Sequence, residues 1–510
     1  MAVFTALGAL GSDSLSLSHT LLLLTYASLA YLALSWFITS IYNLYFHPLR
    51  HFPGPKLWLL FPITRQIDSV LGRREHKTLA YHETYGPVVR ASPDMLTFTS
   101  ADAWRDIYGP RGAAELPKFF GRAGPSTSII DARDPQTHGR FRRAMLPAFS
   151  DKALAEQDML IGTYVDLLTD RLREVAAQGE ATDMVRWFNF TTFDLIGDLA
   201  FGETLGGLEN EASNAWLDRI QTSIKLLPII MLMTQYVPGL GLVLGRLFRR
   251  AQQSHVQMVK AMVARRIEKA EYGHRGDFMD QIMRNQGKES GLTHAELAGN
   301  ADIMMIAGSE TTSTLLSGVT YMLLTHPEKM ERCKAEVRGA FERKEDFSFA
   351  AVSSKLPYTL ACLNETMRIY PSVPIVMFRQ TQPGHTTPIA GEMVPPGTKV
   401  GVPQLAAFHS TLNWHRPTDF LPERWLPAAT TDPTSDFFHD QRDVHKPFSY
   451  GPRDCIGRNL AYHEMRLIFA RLLWEFDLAL REESRAWSEQ KIRVFWDKKP
   501  LMVDVRRRAF

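Results

Sequence analysis

Phe448-Ser449-Tyr450-Gly451-Pro452-Arg453-Asp454-Cys455-Ile456-Gly457 sets one cysteine on a glycine-flanked loop, just ahead of a segment with helical periodicity. A thiolate held there can serve as the axial ligand of a haem iron, where it pushes electron density onto the metal and favours O–O cleavage. The neighbours suit that chemistry. Gly451 and Gly457 carry no side chain, so backbone amides can approach the sulfur and the porphyrin face and tune the metal through hydrogen bonds. Arg453 is placed to pair with a haem propionate, and Phe448 to shield the sulfur from water. A helix opening directly after Cys455 would stabilise a thiolate. A lone cysteine is more often a buried structural thiol; five residues at fixed offsets outweigh that reading.

The pattern F-x-x-G-x-R-x-C-x-G at 448–457 resembles the signature of the cytochrome P450 family, and the resemblance runs from about Tyr42 to the C-terminus. It implies a mainly α fold with small β-sheets, plus one N-terminal transmembrane helix. It also implies haem b (iron protoporphyrin IX) as cofactor. Gln136 to Phe149 carries His138 and Arg142, four residues apart and so on one helix face. Taken alone this is a basic amphipathic surface. Beside the cysteine loop the resemblance makes Arg142 a propionate ligand, since guanidinium suits planar carboxylates. His138 stands where the family more often has Trp.

Thr293-His294-Ala295-Glu296 has the form of a capping box. The helix it opens should run to about Thr325, where His326-Pro327 stops it. Ala307-Gly308-Ser309-Glu310-Thr311-Thr312, midway along, resembles the family's oxygen-activation motif. Gly308, at about 1 kcal/mol relative to Ala, is expected to let the helix lie close over the porphyrin. A Thr hydroxyl can bond back to the preceding turn and distort the helix, leaving room for O2. The resemblance makes Thr311 and Glu310 the proton-delivering pair.

Glu365-Thr366-Met367-Arg368 sets a carboxylate beside a guanidinium at i, i+3 on a helix expected from near Pro357 to before Pro371. Such pairs are common on helix surfaces. Phe420-Leu421-Pro422-Glu423-Arg424-Trp425 resembles a second family segment, with Trp425 in place of the commoner Phe. Together they imply a buried triad of Glu365, Arg368 and Arg424 that holds the approach to the cysteine loop. Pro371 to Arg379 reads as an extended segment. Arg379 is implied as a further propionate ligand, while Val373, Pro374, Ile375 and Val376 either line a pocket or are plain β core. Ala428 to Asp440 reads as a surface loop.

The 510 residues, 45% of them hydrophobic, can bury a large core. Length alone suggests more than one domain; the resemblance implies one unit. A net charge of +3 gives no support for nucleic-acid binding. Cys333, Cys362 and Cys455 are too few and uneven for a disulfide framework, and no zinc-type spacing occurs. Gly239-Leu240-Gly241-Leu242-Val243-Leu244-Gly245 has the wrong spacing for a dinucleotide loop. With no flavin or nicotinamide site legible, electrons are expected from a separate NADPH–cytochrome P450 reductase, docking near Arg453 and Arg458.

Thr20 to Phe46 carries no charge and is long enough to span a bilayer. Asp13 precedes it, while Arg50, His51 and Lys56 follow, so the positive-inside bias puts the remainder in the cytosol. The expected division is a lumenal N-terminus (1–19), a transmembrane helix (20–46), a proline-rich hinge (47–56) and a haem-thiolate monooxygenase domain (57–510). That is a single-pass endoplasmic reticulum topology. Leu226 to Phe248 is apolar, and either caps a substrate channel at the membrane or is simple core.

The resemblance is strongest to filamentous-fungal members similar to isotrichodermin C-15 hydroxylase. It implies a monooxygenase that hydroxylates or epoxidises a hydrophobic small molecule, a terpenoid or polyketide, using O2 and reductase-delivered electrons. The alternatives are a reductase-independent haem-thiolate isomerase or dehydratase, and a non-catalytic haem-binding module. Retention of Glu310 and Thr311 favours oxygen chemistry.

Overall fold

The computed structural model describes residues 17–110, 115–119, 126–212, 215–237, 239–247, 249–270, 275–284 and 291–509. Residues 1–16 of the expected lumenal segment lie outside the described residues. The helices that position the site are α1 (Leu17–Ile41), α2 (Pro62–Val70), α3 (Pro135–Met145), α4 (Met184–Phe201), α5 (Ala215–Tyr236), α6 (His294–Leu324), α7 (Pro357–Ile369) and α8 (Arg458–Glu475).

Helix α6 runs through the core. Its capping box forms as expected, with the Glu296 N–H on Thr293 Oγ1 at 3.3 Å and the Thr293 N–H on Glu296 Oε2 at 2.9 Å. From Thr312 to Leu323 every residue is buried. The hydroxyls in this run bond back along the helix, Thr314 to Glu310 O, Ser317 to Ser313 O and Thr320 to Leu316 O, each at 2.7 Å. Those bonds remove the cost of burying polar groups without partners. Gly308 departs from its expected role. A Cβ there would lie 2.6 Å from Ile196 Cδ1, so this glycine allows close packing against α4. One residue is about 100° of helix, enough to turn position 308 away from the face that Ala307 presents.

Small sheets flank the helices. β1 (Val88–Ser92), β2 (Met95–Phe98), β7 (Lys399–Gly401) and β4 (Arg379–Gln380) form one sheet in that spatial order, with β2 and β7 parallel and the other pairs antiparallel. β3 (Ala181–Asp183), β9 (Met502–Arg507) and β8 (Phe476–Leu480) form a second, and β5 (Thr387–Ile389) and β6 (Glu392–Val394) a third. The first sheet carries Arg379 in register with Val400.

The residues from His19 to Phe46 form a helix long and apolar enough to cross a membrane, exposed along nearly all its length, with Ser40 and Asn43 buried near its C-terminal end. The proline-rich segment after it is tied down. Leu49 and Phe52 are buried in a core cluster with Leu96 and Tyr108. Arg90, almost wholly buried, donates to Asn43 O at 2.8 Å and to Pro93 O at 2.9 Å. Trp36 stacks on Phe61 with ring centroids 4.6 Å apart and donates to Leu60 O at 3.0 Å. Residues 226–247, which read from sequence as either core or cap, present Leu226, Leu227, Met231, Met233 and Leu247 to solvent.

Glu365, Arg368 and Arg424 have no exposed side-chain surface. Arg368 grips both Glu365 oxygens, at 2.9 and 2.8 Å, and Arg424 Nε reaches Oε1 at 3.1 Å. The network is larger than the sequence implied. Arg424 also pairs with Asp440, which lies in the stretch read as a surface loop and is itself buried. Trp425 Nε1 donates to Glu365 Oε2 at 2.8 Å, a bond Phe could not make. Burial raises the Glu365 pKa, but Arg368, Arg424 and the Leu421 N–H outweigh it, leaving the carboxyl below its ordinary value. Its stabilisation is therefore fully present above the ordinary carboxylate range and is lost as pH falls through the folded value. Arg424→Met should cost about 3–5 kcal/mol, because it leaves the buried Asp440 without its guanidinium and takes one of two guanidinium partners from Glu365. Trp425→Phe should cost about 1.5–3 kcal/mol for one bond to a charged acceptor. Urea unfolding midpoints would measure both, and an unchanged midpoint in Arg424→Met would contradict the network's role.

Candidate active site

The Cys455 N–H donates to Phe448 O at 2.9 Å and closes the cysteine loop. Gly451 sits at φ +81°, and a Cβ there would lie 2.0 Å from Tyr108 O. This glycine lets the loop seat on the end of the helix Ala101–Tyr108, rather than opening space beside the sulfur as expected. The amide at the sulfur belongs to Gly457. Surrounding protein raises the Cys455 thiol pKa, opposed by that N–H; Asp454 adds to the rise, and Arg142 and Arg458 oppose it. Cys455 is nonetheless exposed rather than sealed in packed core. Phe448 packs beside it, its ring 5.2 Å from that of Tyr462.

One face of α6 is also open. Ala307 is exposed and Thr311 half-buried, one turn apart on a helix whose neighbouring positions Ser309, Glu310 and Thr312 are buried. Thr311 Oγ1 donates to Ala307 O at 2.6 Å, the back-bond read from sequence. Glu310 does not share this face. It pairs with Lys498 Nζ at 2.8 Å, both side chains nearly buried. Lys498 also reaches Thr314 Oγ1 at 2.9 Å and Ser313 Oγ at 3.2 Å. Glu310 and Lys498 line a cleft of about 290 Å³ with Lys225, Arg493 and Asp497. Glu310 thus lines an open cleft of mixed polar and apolar walls, one residue from Thr311.

Cations converge beside the cysteine loop. Arg453 is fully engaged within the protein, with Nε on Glu115 at 2.5 Å and its Nη atoms on Ala132 O and Arg133 O at 2.6 and 2.9 Å. Arg142 holds Asp454 through the backbone oxygen at 2.8 Å and the carboxylate at 2.5 Å. Both were expected on propionates; here both brace the loop. Arg379 differs. Its guanidinium lies 5.6 Å from the Tyr108 ring centroid and has no carboxylate partner among the described residues. Among the described residues Lys118 bonds Ile130 O, at 2.6 Å. Burial, then Arg453 and Arg379, pushes Lys118 down to about 8. His138 is buried, and burial followed by Arg453, Lys118, Arg142 and Arg379 pushes it down to about 3, so it is a neutral imidazole among cations.

An exposed cysteine with an amide on its sulfur, an open helix face carrying Thr311, and a buried and a half-buried cation without carboxylate partners among the described residues fit an iron porphyrin. The thiolate would hold the metal, and Arg379, Lys118 and His138 the propionates. Lys118, Glu115 and Lys498 carried no sequence signal, since each lies outside any motif. Glu464 was also passed over. It is buried, accepts from Thr312 Oγ1 at 3.3 Å, and burial pushes its carboxyl up to about 8 against that bond. Its only signal is its place on the helix following Cys455.

A family model described as Cytochrome P450 matches residues 52–505. Trichothecene C-4 hydroxylase of Trichoderma arundinaceum is 45% identical over 465 residues, 91% of this chain and 93% of the relative. Cytochrome P450 monooxygenase olcB of Penicillium canescens is 42% identical over 484 residues, 94% and 98% of the two chains. Averantin hydroxylase of Dothistroma septosporum is 39% identical over 482 residues, 92% and 89%. Cys455→Ala should abolish the thiolate-type absorbance of the reduced carbon monoxide complex. Arg379→Met should weaken haem uptake by the apoprotein by roughly tenfold, the loss of one charge-assisted bond. Retention of the thiolate-type band, or unchanged uptake in a haem titration, would remove the respective assignment.

Proposed function

The chain belongs to the cytochrome P450 family and is a haem-thiolate monooxygenase, and on that premise we propose that it hydroxylates or epoxidises a hydrophobic terpenoid or polyketide of fungal secondary metabolism. The carrying observation is an exposed Cys455 together with Ala307 exposed and Thr311 half-buried one turn apart on α6, and Glu310 beside them lining a cleft of mixed polar and apolar walls. The trichothecene and averantin hydroxylases named above support the substrate class. When bound, the haem supplies the O2 activation and C–H oxidation.

The chain's own residues do the rest. Cys455 provides the anionic sulfur, and its thiol proton must leave for iron to bind. Gly457 N–H steadies that sulfur, and the Arg142–Asp454 pair fixes the residue before it. Thr311 holds a hydroxyl one residue from a carboxylate that lines the cleft, so protons can pass from the cleft through Glu310 to Thr311. Lys498 fixes Glu310 in that position. Electrons come from NADPH–cytochrome P450 reductase. The N-terminal helix anchors the enzyme in the endoplasmic reticulum membrane, with residues from 47 onward facing the cytosol.

Thr311→Ala should leave NADPH consumption within a fewfold of wild type while product per NADPH falls about tenfold or more, a typical share for one positioned proton donor. Glu310→Gln should slow product formation and enlarge the solvent isotope effect. Product formation under anaerobic conditions without reductase would favour the isomerase or dehydratase reading; unchanged coupling in Thr311→Ala would take Thr311 out of proton delivery.

A further inference from the structure

Arg65, on α2, is 8% exposed, yet no hydrogen bond or ion pair among the described residues involves its guanidinium. It lies between two aromatic rings, 5.8 Å from the centroid of Trp58 and 5.8 Å from that of Phe378. Those contacts hold the plane but do not neutralise the charge. The nearest carboxylates are already taken: Glu75 by Arg74 at 2.7 Å and Asp94 by Lys399 at 2.9 Å. Burial pushes the Arg65 pKa down to about 9, with Arg74 adding and Glu75, Asp94 and Tyr236 opposing. An isolated cation in such surroundings is unfavourable unless something pairs with it.

Its place in the fold says what that partner is. Helix α2 meets α5 here, where Gln66 donates to Gln235 at 3.2 Å. The rim is apolar and open, with Ile63, Ile67, Leu227, Met231 and Tyr236 all exposed. From Arg65 a single segment leads to the site. Phe378 lies under the guanidinium, Met377 is exposed, Ile375 is half-buried, and Ser372 Oγ donates to Thr311 O at 2.9 Å. Six residues of chain reach at most about 20 Å. An apolar molecule lying along that segment could present one end to Arg65 and the other to Thr311.

We propose that Arg65 is the anion-recognition residue of the substrate entrance, pairing its guanidinium with a carboxylate or other anionic oxygen on an otherwise apolar substrate. A planar fork held between aromatic rings suits such a group. The proposal rests on the monooxygenase reading for the oxidation of the bound molecule, but not for binding itself.

The test uses the full-length, haem-loaded protein in nonionic detergent, titrated with lauric acid and with methyl laurate while the haem spin-state shift is followed. Wild type should bind the acid about tenfold more tightly than the ester, the scale of one charged hydrogen bond. Arg65→Gln should erase that preference while keeping ester affinity, haem content and melting temperature, since it removes an unpaired buried charge. Arg65→Lys should restore part of it. Equal binding of acid and ester, no binding of laurate, or a preference surviving in Arg65→Gln overturns the proposal. A lowered melting temperature with the preference intact marks Arg65 as packing and also overturns it. A lipid headgroup is the other source of the anion. If Arg65→Gln loses preference for phosphatidylglycerol over phosphatidylcholine vesicles but keeps its preference for laurate, the substrate assignment falls. Turnover without O2 would overturn the monooxygenase reading and leave the charge preference standing.

Discussion

Glu365 is a carboxylate with no exposed surface, and it must be neutralised where it stands. Arg368 grips it from the same helix, and Arg424, the Trp425 indole and the Leu421 amide reach it from a segment more than fifty residues on. Arg424 then passes the constraint to Asp440, a short distance before the cysteine loop. Every group in the chain is satisfied only if α7, the 420–425 turn and the approach to Cys455 stay in one arrangement. A buried network of this kind is weak evidence for extra stability, but it specifies geometry, and the geometry it specifies is that of the cysteine.

The same logic divides the cations around the site. Arg142 and Arg453 spend their donors on Asp454, Glu115 and backbone carbonyls, so they hold the loop. Arg379 and Lys118 lack carboxylate partners among the described residues and are the ones suited to the propionates. Glu310 and Lys498 neutralise one another in a cleft of mixed polar and apolar walls. Arg65, away from the cysteine loop, is a buried guanidinium beside two aromatic rings with no ion pair among the described residues.

Patterns confined to a few residues were legible in the sequence. The Thr293 capping box, the stop at Pro327, the Thr311 back-bond and the i, i+3 pair of Glu365 and Arg368 each depend on neighbours within one turn, so spacing alone announces them. The glycines were less legible. Gly308 and Gly451 suggest approach to the porphyrin and the sulfur, yet they accommodate Ile196 and Tyr108 O. A missing side chain signals close approach without saying what approaches. Asp440 reads as part of a surface loop because Pro, Asp and Thr around it mark turns, and nothing local reveals that Arg424 buries it.

Sequence by itself determined the chemistry of this protein. Cys455 on its loop, the acid and hydroxyl at 310 and 311, and the apolar span before Phe46 are covalently ordered features whose chemistry comes from residue type and offset. Tertiary structure decided which charge meets which. Glu115 and Arg453 are 338 residues apart, and Arg142 and Asp454 are 312 apart. Lys498 reaches Glu310 from beyond the cysteine loop. Periodicity cannot encode such pairs, because they exist only once the helices have packed and desolvation has drawn opposite charges distant in sequence together.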